Sequence, residues 1–328
     1  MIPTLFGITV IVFALIQFLP GGPVEQYVAE TRRALSAEGA GGDISANITE
    51  SELENIRAYY GYDRPAYERY LIWVGNVQIL DLGESFSYHA PVWDVIIQRM
   101  PISIYIVLTS FLIAYAVCIP LGLKKAMHHQ SRFDVTSTAA IFAGYVIPGY
   151  VLGLLLIIFF AGGSFLNLFP ISGVVSDDWE FLSPVEQVLD FLHHMALPMI
   201  CYMSGEFAFL TLLMKNSLLD EMGKDYLRTA VVKGAPFETA VWRHALRNAL
   251  IPIATRLSEI FTLIFAGALL IEKVFNIDGM GLLVYNSILD RDYNVVMGII
   301  LLVSTLTILG RLFSDILYVL VDPRIRFD

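Results

Sequence analysis

Charged residues are scarce in this sequence, and over long stretches they are missing altogether. Only 16% of the 328 residues are Asp, Glu, Lys or Arg, whereas 56% are hydrophobic, and the mean hydropathy is +0.64. A water-soluble protein of this size could not bury so much apolar surface in its core. Residues 135–162 contain no charged side chain, and about 20 such residues are enough for a helix to cross a bilayer. The composition therefore predicts a membrane protein.

The sequence also lacks the motifs of several enzyme classes. It contains no G-x-x-x-x-G-K-[ST] phosphate loop, no H-E-x-x-H and no G-x-S-x-G. Without a phosphate loop the chain is not expected to bind ATP by itself, and without the other two motifs an intramembrane hydrolase is disfavoured. We expect a protein that is not an enzyme and that carries no cofactor.

Cysteine is rare, and a cleavable leader is not evident. Both cysteines, Cys118 and Cys201, fall inside apolar runs, so no disulfide is expected. Residues 1–23 show neither a basic start nor a small-residue cleavage site, which favours a retained membrane span over a signal peptide.

Apolar runs of about 20 residues occur six times. They are continuous rather than alternating, and only a helix satisfies its own backbone polar groups within one segment in lipid, so helices are predicted and not a barrel. The fold class is therefore an all-α membrane protein with six transmembrane helices. Their expected ranges are 1–19, 102–123, 137–161, 195–214, 250–271 and 295–321.

The orientation follows from the Lys and Arg residues of the connections, which favour the cytoplasmic side. Segments 124–134, 215–249 and 322–328 together hold eleven Lys and Arg, whereas 162–194 holds none and 20–101 sets six against twelve carboxylates. Both termini are thus expected in the cytoplasm, with a large extracytoplasmic region at 20–101 and a core of five helices at 102–321. The net charge of −10 lies mostly on the outer loops, and it gives no reason to expect a nucleic-acid partner.

The cytoplasmic segment 215–249 has the pattern of two short helices joined by a turn. The stretch from Lys224 to Gly234 predicts a helix that glycine ends in a left-handed conformation, and Pro236 suits the first turn of a second helix. Such a unit has no nucleophile or metal cluster, but it can transmit force to a partner. A merely solvated, positively charged loop is the alternative that spacing alone leaves open.

This segment resembles a known motif. Residues 226–234, YLRTAVVKG, and 243–252, RHALRNALIP, are similar to the EAA motif of ABC importer permeases of the dipeptide, oligopeptide and nickel group. The resemblance covers nearly the whole chain, because five further short motifs also fit that group. Residues 171–198 look closest to the microcin-C and peptide-type branch of the group. The five motifs are at 19–24 (LPGGPV), 61–65 (GYDRP), 81–85 (DLGES), 290–293 (DRDY) and 322–326 (DPRIR).

The resemblance implies a subunit of a bacterial inner-membrane importer for peptides. The implied partners are a second homologous permease, cytoplasmic ABC ATPase subunits, a periplasmic or lipid-anchored peptide-binding protein, the peptide substrate and membrane lipid. A helical coupling loop between the fourth and fifth spans would dock on the ATPase. Its expected residues are Tyr226, Arg228, Thr229, Ala230, Gly234, Arg243 and Asn248.

The chain departs from the general motif at one point. Arg228-Thr229-Ala230 stands where the general pattern has Glu-Ala-Ala, so a contact that needs this glutamate cannot be carried over. Ala230 and Gly234 match strictly. A small alanine and a turning glycine would allow the helix to seat closely in a groove of the ATPase subunit.

Other functions remain open at this point. A secondary transporter would need ion-coupling carboxylates inside the membrane, for which Glu206 and Glu259 are the clear candidates. A nickel permease of the same group is a further alternative, and a ligand-free channel is a weaker one. The adjacent His193 and His194 do not favour a metal site, because neighbouring side chains on a helix point about 100° apart.

The charges inside the predicted spans need partners or water. Glu206 is expected to face the bundle interior or an aqueous cavity, where it could meet a cationic group of a peptide. Arg256 and Glu259 are three residues apart on one predicted helix and could pair there. We assign Glu206 and Glu259 to the translocation pathway as a hypothesis.

Overall fold

The structure is a computed structural model. It describes residues 2–18, 54, 63–163, 165–256, 260, 263–264 and 267–321. Residues 19–24 and 322–326, the expected tail at 322–328, most of the region at 20–101 and Glu259 lie outside these ranges.

Most of the described residues are helical, and no strand is present among them beyond one isolated bridge between Glu84 and Pro91. The helical segments include two π-turns, at Ile157–Ala161 and Val241–Ala245, and a short 3-10 turn at Trp179–Phe181. The α-helices are α1 (Ile2–Phe18), α2 (Ala66–Gln78), α3 (Val92–Met127), α4 (Arg132–Val146), α5 (Gly149–Leu156), α6 (Pro184–Met222), α7 (Asp225–Val232), α8 (Phe237–Ala240), α9 (Leu246–Ala249), α10 (Ile251–Thr255), α11 (Leu269–Phe275), α12 (Met280–Leu289) and α13 (Tyr293–Val321).

Three helices within the described residues are long and apolar enough to cross a membrane, and a bent pair makes a fourth candidate span. The three are α3, α6 and the part of α13 up to Phe313, and they contain the expected runs at 102–123 and 195–214 and most of that at 295–321. The α1 helix coincides with the expected run at 1–19 but is a shorter apolar helix. The helical membrane fold is therefore confirmed, whereas six spans remain a prediction.

The helix expected over 137–161 is broken, which corrects the prediction of one continuous span. It consists of α4 and α5, which are bent by 91° relative to each other. The break lies at Ile147, which is extended at φ −83° and ψ 117°, immediately before Pro148. The proline ring clashes with a helical conformation of the preceding residue, which accounts for the extended backbone.

The helix expected over 250–271 is also interrupted. The α10 helix ends at Thr255, and a separate helix, α11, begins at Leu269. Between them Gly267 has a positive φ of 63° and Ala268 is non-helical at φ −122° and ψ 77°. The prediction of one helix up to residue 271 is therefore wrong at its C-terminal end.

The chain divides into two compact units. The first comprises Met1–Arg99 and Leu283–Thr305, and it joins two motifs that are distant in sequence. Ser85 Oγ donates to Asp292 Oδ2 over 2.5 Å, and the Ser87 amide donates to the same oxygen over 3.0 Å. Asp292 is 1% exposed. The motifs at 81–85 and 290–293 thus form one buried polar junction.

The second unit comprises Met100–Leu282 and Leu306–Asp328, and it contains the helices around the predicted site. Gly149 and Gly153 allow close packing here. A Cβ atom on Gly149 would lie 3.0 Å from the Cys201 carbonyl oxygen, and one on Gly153 would lie 3.0 Å from the Phe275 ring. The glycines therefore bring α5 against α6 and α11, as a G-x-x-x-G pattern permits.

Candidate functional site

The predicted cytoplasmic loop is a helix, a turn and a second helix. The first helix, α7, begins after Lys224 and ends at Val232, and Gly234 follows with φ +96°. The Gly234 amide donates to the Val231 carbonyl over 2.9 Å, and the Ala235 amide donates to the Ala230 carbonyl over 3.2 Å. These bonds satisfy carbonyl groups that the helix end would leave unpaired. The predicted left-handed turn at Gly234 is confirmed.

The second helix starts at Pro236, where the chain is extended and then turns into α8. It continues through the π-turn at Val241–Ala245 into α9. Its inner face packs on α3 and α6 in an apolar cluster, which anchors the loop to the helices that reach the membrane. The buried residues of this cluster are Leu123, Ala126, Met214, Leu218, Leu227, Ala240, Val241, Ala245, Ala249 and Ile253.

One carboxylate joins the two halves of the loop. Glu221, near the end of α6, accepts hydrogen bonds from Lys224 Nζ and Tyr226 Oη, each over 2.5 Å, and from Asn248 Nδ2 over 3.4 Å. Burial and the bond to Glu221 raise the pKa of Tyr226 to about 12, so its hydroxyl stays protonated and able to donate. The network holds α6, α7 and α9 in a fixed arrangement. Glu221 was not predicted from the sequence, since no motif distinguishes it.

The outer face of the loop combines apolar and basic side chains. Val232 is 87% exposed, Trp242 56% and Phe237 47%. Large exposed apolar groups beside positive charges are typical of a surface that another protein covers. The exposed polar residues on the loop include Arg228, Thr229, Lys233, Arg243 and Arg247.

Apart from Ala230 and Gly234, the predicted coupling residues fall into two groups. Arg228, Thr229 and Arg243 are exposed, whereas Tyr226 and Asn248 belong to the Glu221 network. Ala230 is partly buried against the internal cluster, so its small side chain serves the packing of α7 on this chain's own helices.

A buried charge cluster lies where α3, α4 and α6 meet. Asp134 accepts from Lys215 Nζ over 2.7 and 2.8 Å, and Lys125 Nζ lies 3.2 Å from Asp134 Oδ1. Lys125 is fully buried and also donates to Ser137 Oγ and Thr138 Oγ1, each over 2.7 Å. The cluster ties the turn between α3 and α4 to the helix that leads into the loop.

Glu206 lies on α6 and has an arginine partner. Arg256 Nη2 is 3.5 Å from Glu206 Oε2, and the Arg256 guanidinium lies over the Phe209 ring at 4.3 Å. Both side chains of the pair are partly exposed. The pairing of Arg256 with Glu259 that spacing suggested involves a residue outside the described ranges, so it stays a prediction together with the pathway role of Glu259.

The adjacent histidines bind separate backbone groups. His193 Nε2 lies 2.6 Å from the Leu168 carbonyl oxygen, and His194 Nδ1 lies 2.9 Å from that of Asp190. The two rings are thus held by different partners.

Comparison with known proteins supports the family resemblance that the sequence motifs indicated. A family model described as "Binding-protein-dependent transport system inner membrane component" matches residues 118–327. This range includes the loop and the charge cluster around Asp134.

Curated relatives match over their full length. The chain is 40% identical to "Inner membrane ABC transporter permease protein YejB" of Escherichia coli O157:H7, with 100% of the chain and 96% of the relative covered. It is 39% identical to "Peptidoglycan transport system permease protein YejB" of Agrobacterium fabrum, with the same coverage. It is 33% identical to "Dipeptide transport system permease protein DppB" of Escherichia coli K12, with 99% and 96% covered.

Proposed function

Because the chain belongs to the family of binding-protein-dependent transport system inner membrane components, we propose that it is the permease subunit of an ABC importer that carries peptides across the bacterial inner membrane. The names of relatives such as DppB and the oligopeptide permease AppB of Bacillus subtilis support peptides over nickel. They also support an ATP-driven importer over a secondary transporter.

The observation that carries this proposal is the cytoplasmic loop. Its inner face is fixed by the apolar cluster and by Glu221, while its outer face exposes Val232, Phe237 and Trp242 between basic residues. A rigid unit with an exposed apolar face can transfer a movement of a docked partner to α6. We assign the docking partner as the ATPase subunit that hydrolyses ATP for the transporter.

The remaining parts of the proposal concern the assembly. This chain pairs with a second, homologous permease, and the two enclose the peptide pathway. An extracytoplasmic binding protein delivers the peptide to the region at 20–101. Closure of the ATPases moves the docked loops, and the spans alternate between outward and inward access.

Transport by the purified complex tests the proposal. The chain is co-purified with the proteins that bind it, reconstituted into vesicles and supplied with a loaded binding protein. We expect an ABC ATPase among the bound proteins and peptide uptake that requires ATP. Uptake that proceeds without ATP and follows a proton or sodium gradient would instead establish a secondary transporter.

We further propose six spans with both termini in the cytoplasm, and cysteine labelling tests this orientation. Phe181 is 90% exposed in the predicted outer segment, and Val232 is 87% exposed on the loop. The two native cysteines are buried, so their background labelling should be low. In intact spheroplasts, an impermeant maleimide should label Phe181→Cys, whereas Val232→Cys should react only after permeabilisation. The reverse pattern would place the loop outside and remove its docking role.

A further inference from the structure

A cavity of about 220 Å³ lies in the second unit beside Glu206. The principal lining residues are Val107, Ser110 and Ala114 of α3 and Cys201, Gly205 and Glu206 of α6. At about 30 Å³ per water molecule the space corresponds to roughly seven waters. It is large enough for one amino-acid side chain.

Glu206, the charged residue at the cavity, has a carboxylate that can accept a further hydrogen bond. Arg256 approaches only the Oε2 atom of Glu206, at 3.5 Å, which is longer than the 2.7–2.9 Å of a strong charge-assisted bond. No described residue donates to Oε1. The carboxylate can therefore accept from a ligand while Arg256 remains in place.

We propose that this cavity is a subsite for the N-terminal residue of a peptide in transit. The apolar side chain of that residue lies between α3 and α6, and the N–H donors at its amino terminus bind Glu206. An apolar wall with one carboxylate acceptor fits this chemistry, since an N-terminal residue combines a side chain with a cationic donor. This inference rests on the proposed peptide transport and adds a residue preference to it.

Gly205 provides a test that leaves the fold intact. A Cβ atom at Gly205 would meet no atom within 4 Å, although the residue lines the cavity. Gly205→Leu therefore adds a side chain at a lining position where the Cβ atom itself meets no neighbour. The matched control is Gly144→Leu in α4, where a Cβ also meets nothing within 4 Å and which does not line the cavity.

The measurement is uptake by vesicles that hold the complete transporter. Tripeptides that differ only in their first residue (Ala, Leu or Phe) are supplied on the binding protein at equal loading. Because removing space from an apolar pocket discriminates side chains about tenfold or more, Gly205→Leu should reduce uptake of the Leu and Phe peptides about tenfold relative to the Ala peptide. Gly144→Leu should leave the ratio unchanged.

A second variant tests the polar contact. Glu206→Gln should lower uptake of a peptide with a free amino terminus several-fold, about fivefold, relative to its acetylated form, because the charge attraction at the terminus is lost. Acetylation removes the charge, so the acetylated peptide should respond little to the substitution.

Several results would overturn the subsite. Equal losses for all first residues, an unchanged ratio in Gly205→Leu, or equal responses of free and acetylated peptides would each do so. Failure of Gly205→Leu to assemble with the second permease would show that the cavity holds a side chain of that subunit. If the unmodified transporter takes up no peptide, the proposed function itself fails, and the subsite with it.

Discussion

Replacing Gly234 with valine is expected to lower peptide uptake and peptide-stimulated ATPase activity together, by roughly tenfold. Gly234 has φ +96°, a conformation that costs a residue with a Cβ about 1–3 kcal/mol. Steric crowding is not the cause of this cost, because a Cβ atom at Gly234 would meet no other atom within 4 Å. The cost is one of backbone conformation, and the chain can relieve it only by changing the turn that positions Pro236 and α8.

The matched control is Gly223→Val, eleven residues earlier at the end of α6. Gly223 has an ordinary negative φ of −79°, and a Cβ there lies 3.6 Å from its nearest neighbour, the Asp220 carbonyl oxygen. This variant should keep most of the activity. Normal transport and normal peptide-stimulated ATPase activity in Gly234→Val would contradict a coupling role for the turn.

The turn at Gly234 could be predicted from the sequence because its cause is local. Glycine is the residue that tolerates positive φ without strain, and Pro236 fixes the start of the next helix. The spacing of Gly149 and Gly153 likewise places both on one helix face, although it does not specify which helices they contact. Features that depend only on residues close together in the sequence can be predicted from a single sequence.

The break at Ile147 could not be predicted, although Pro148 is visible. Pro101 and Pro120 lie inside α3, and Pro198 lies inside α6, and these helices continue through them. A proline therefore permits a break without requiring one. At Pro148 the break lets α5 turn and pack its glycines on α6 and α11, and that contact depends on the fold as a whole.

The partners of the buried charges were equally hidden. The structure brings Arg256 to Glu206, 50 residues earlier in the chain, and no spacing rule suggested this partner. Glu272 is 1% exposed and accepts from Tyr202 Oη over 3.0 Å and from the Leu282 amide over 2.7 Å. Such pairs form between helices, and no local pattern in the sequence specifies them.

Asp134→Asn is expected to destabilise the protein more than any other single change discussed here. The substitution keeps the shape of the side chain and removes its charge, which leaves Lys215 and the fully buried Lys125 without their counter-ion. Removing one partner from a buried ion pair costs about 3–5 kcal/mol, because the remaining charge is uncompensated. We expect a lower yield of folded complex and a lower unfolding temperature in detergent. The matched control is Asp220→Asn, an exposed carboxylate on α6, which should change stability by less than about 0.5 kcal/mol.

A double substitution distinguishes loss of charge from loss of packing. In a Lys215→Met background one of the two lysines is already absent, so Asp134→Asn strands less positive charge than it does in the native chain. If the cluster acts through charge, the loss in the double variant should be smaller than the sum of the two single losses by about 1–3 kcal/mol. Thermal unfolding of all four proteins gives this difference directly. Strict additivity would show that Asp134 and Lys215 are not coupled through their charges, and the turn between α3 and α4 would then not be tied electrostatically to the helix that carries the loop.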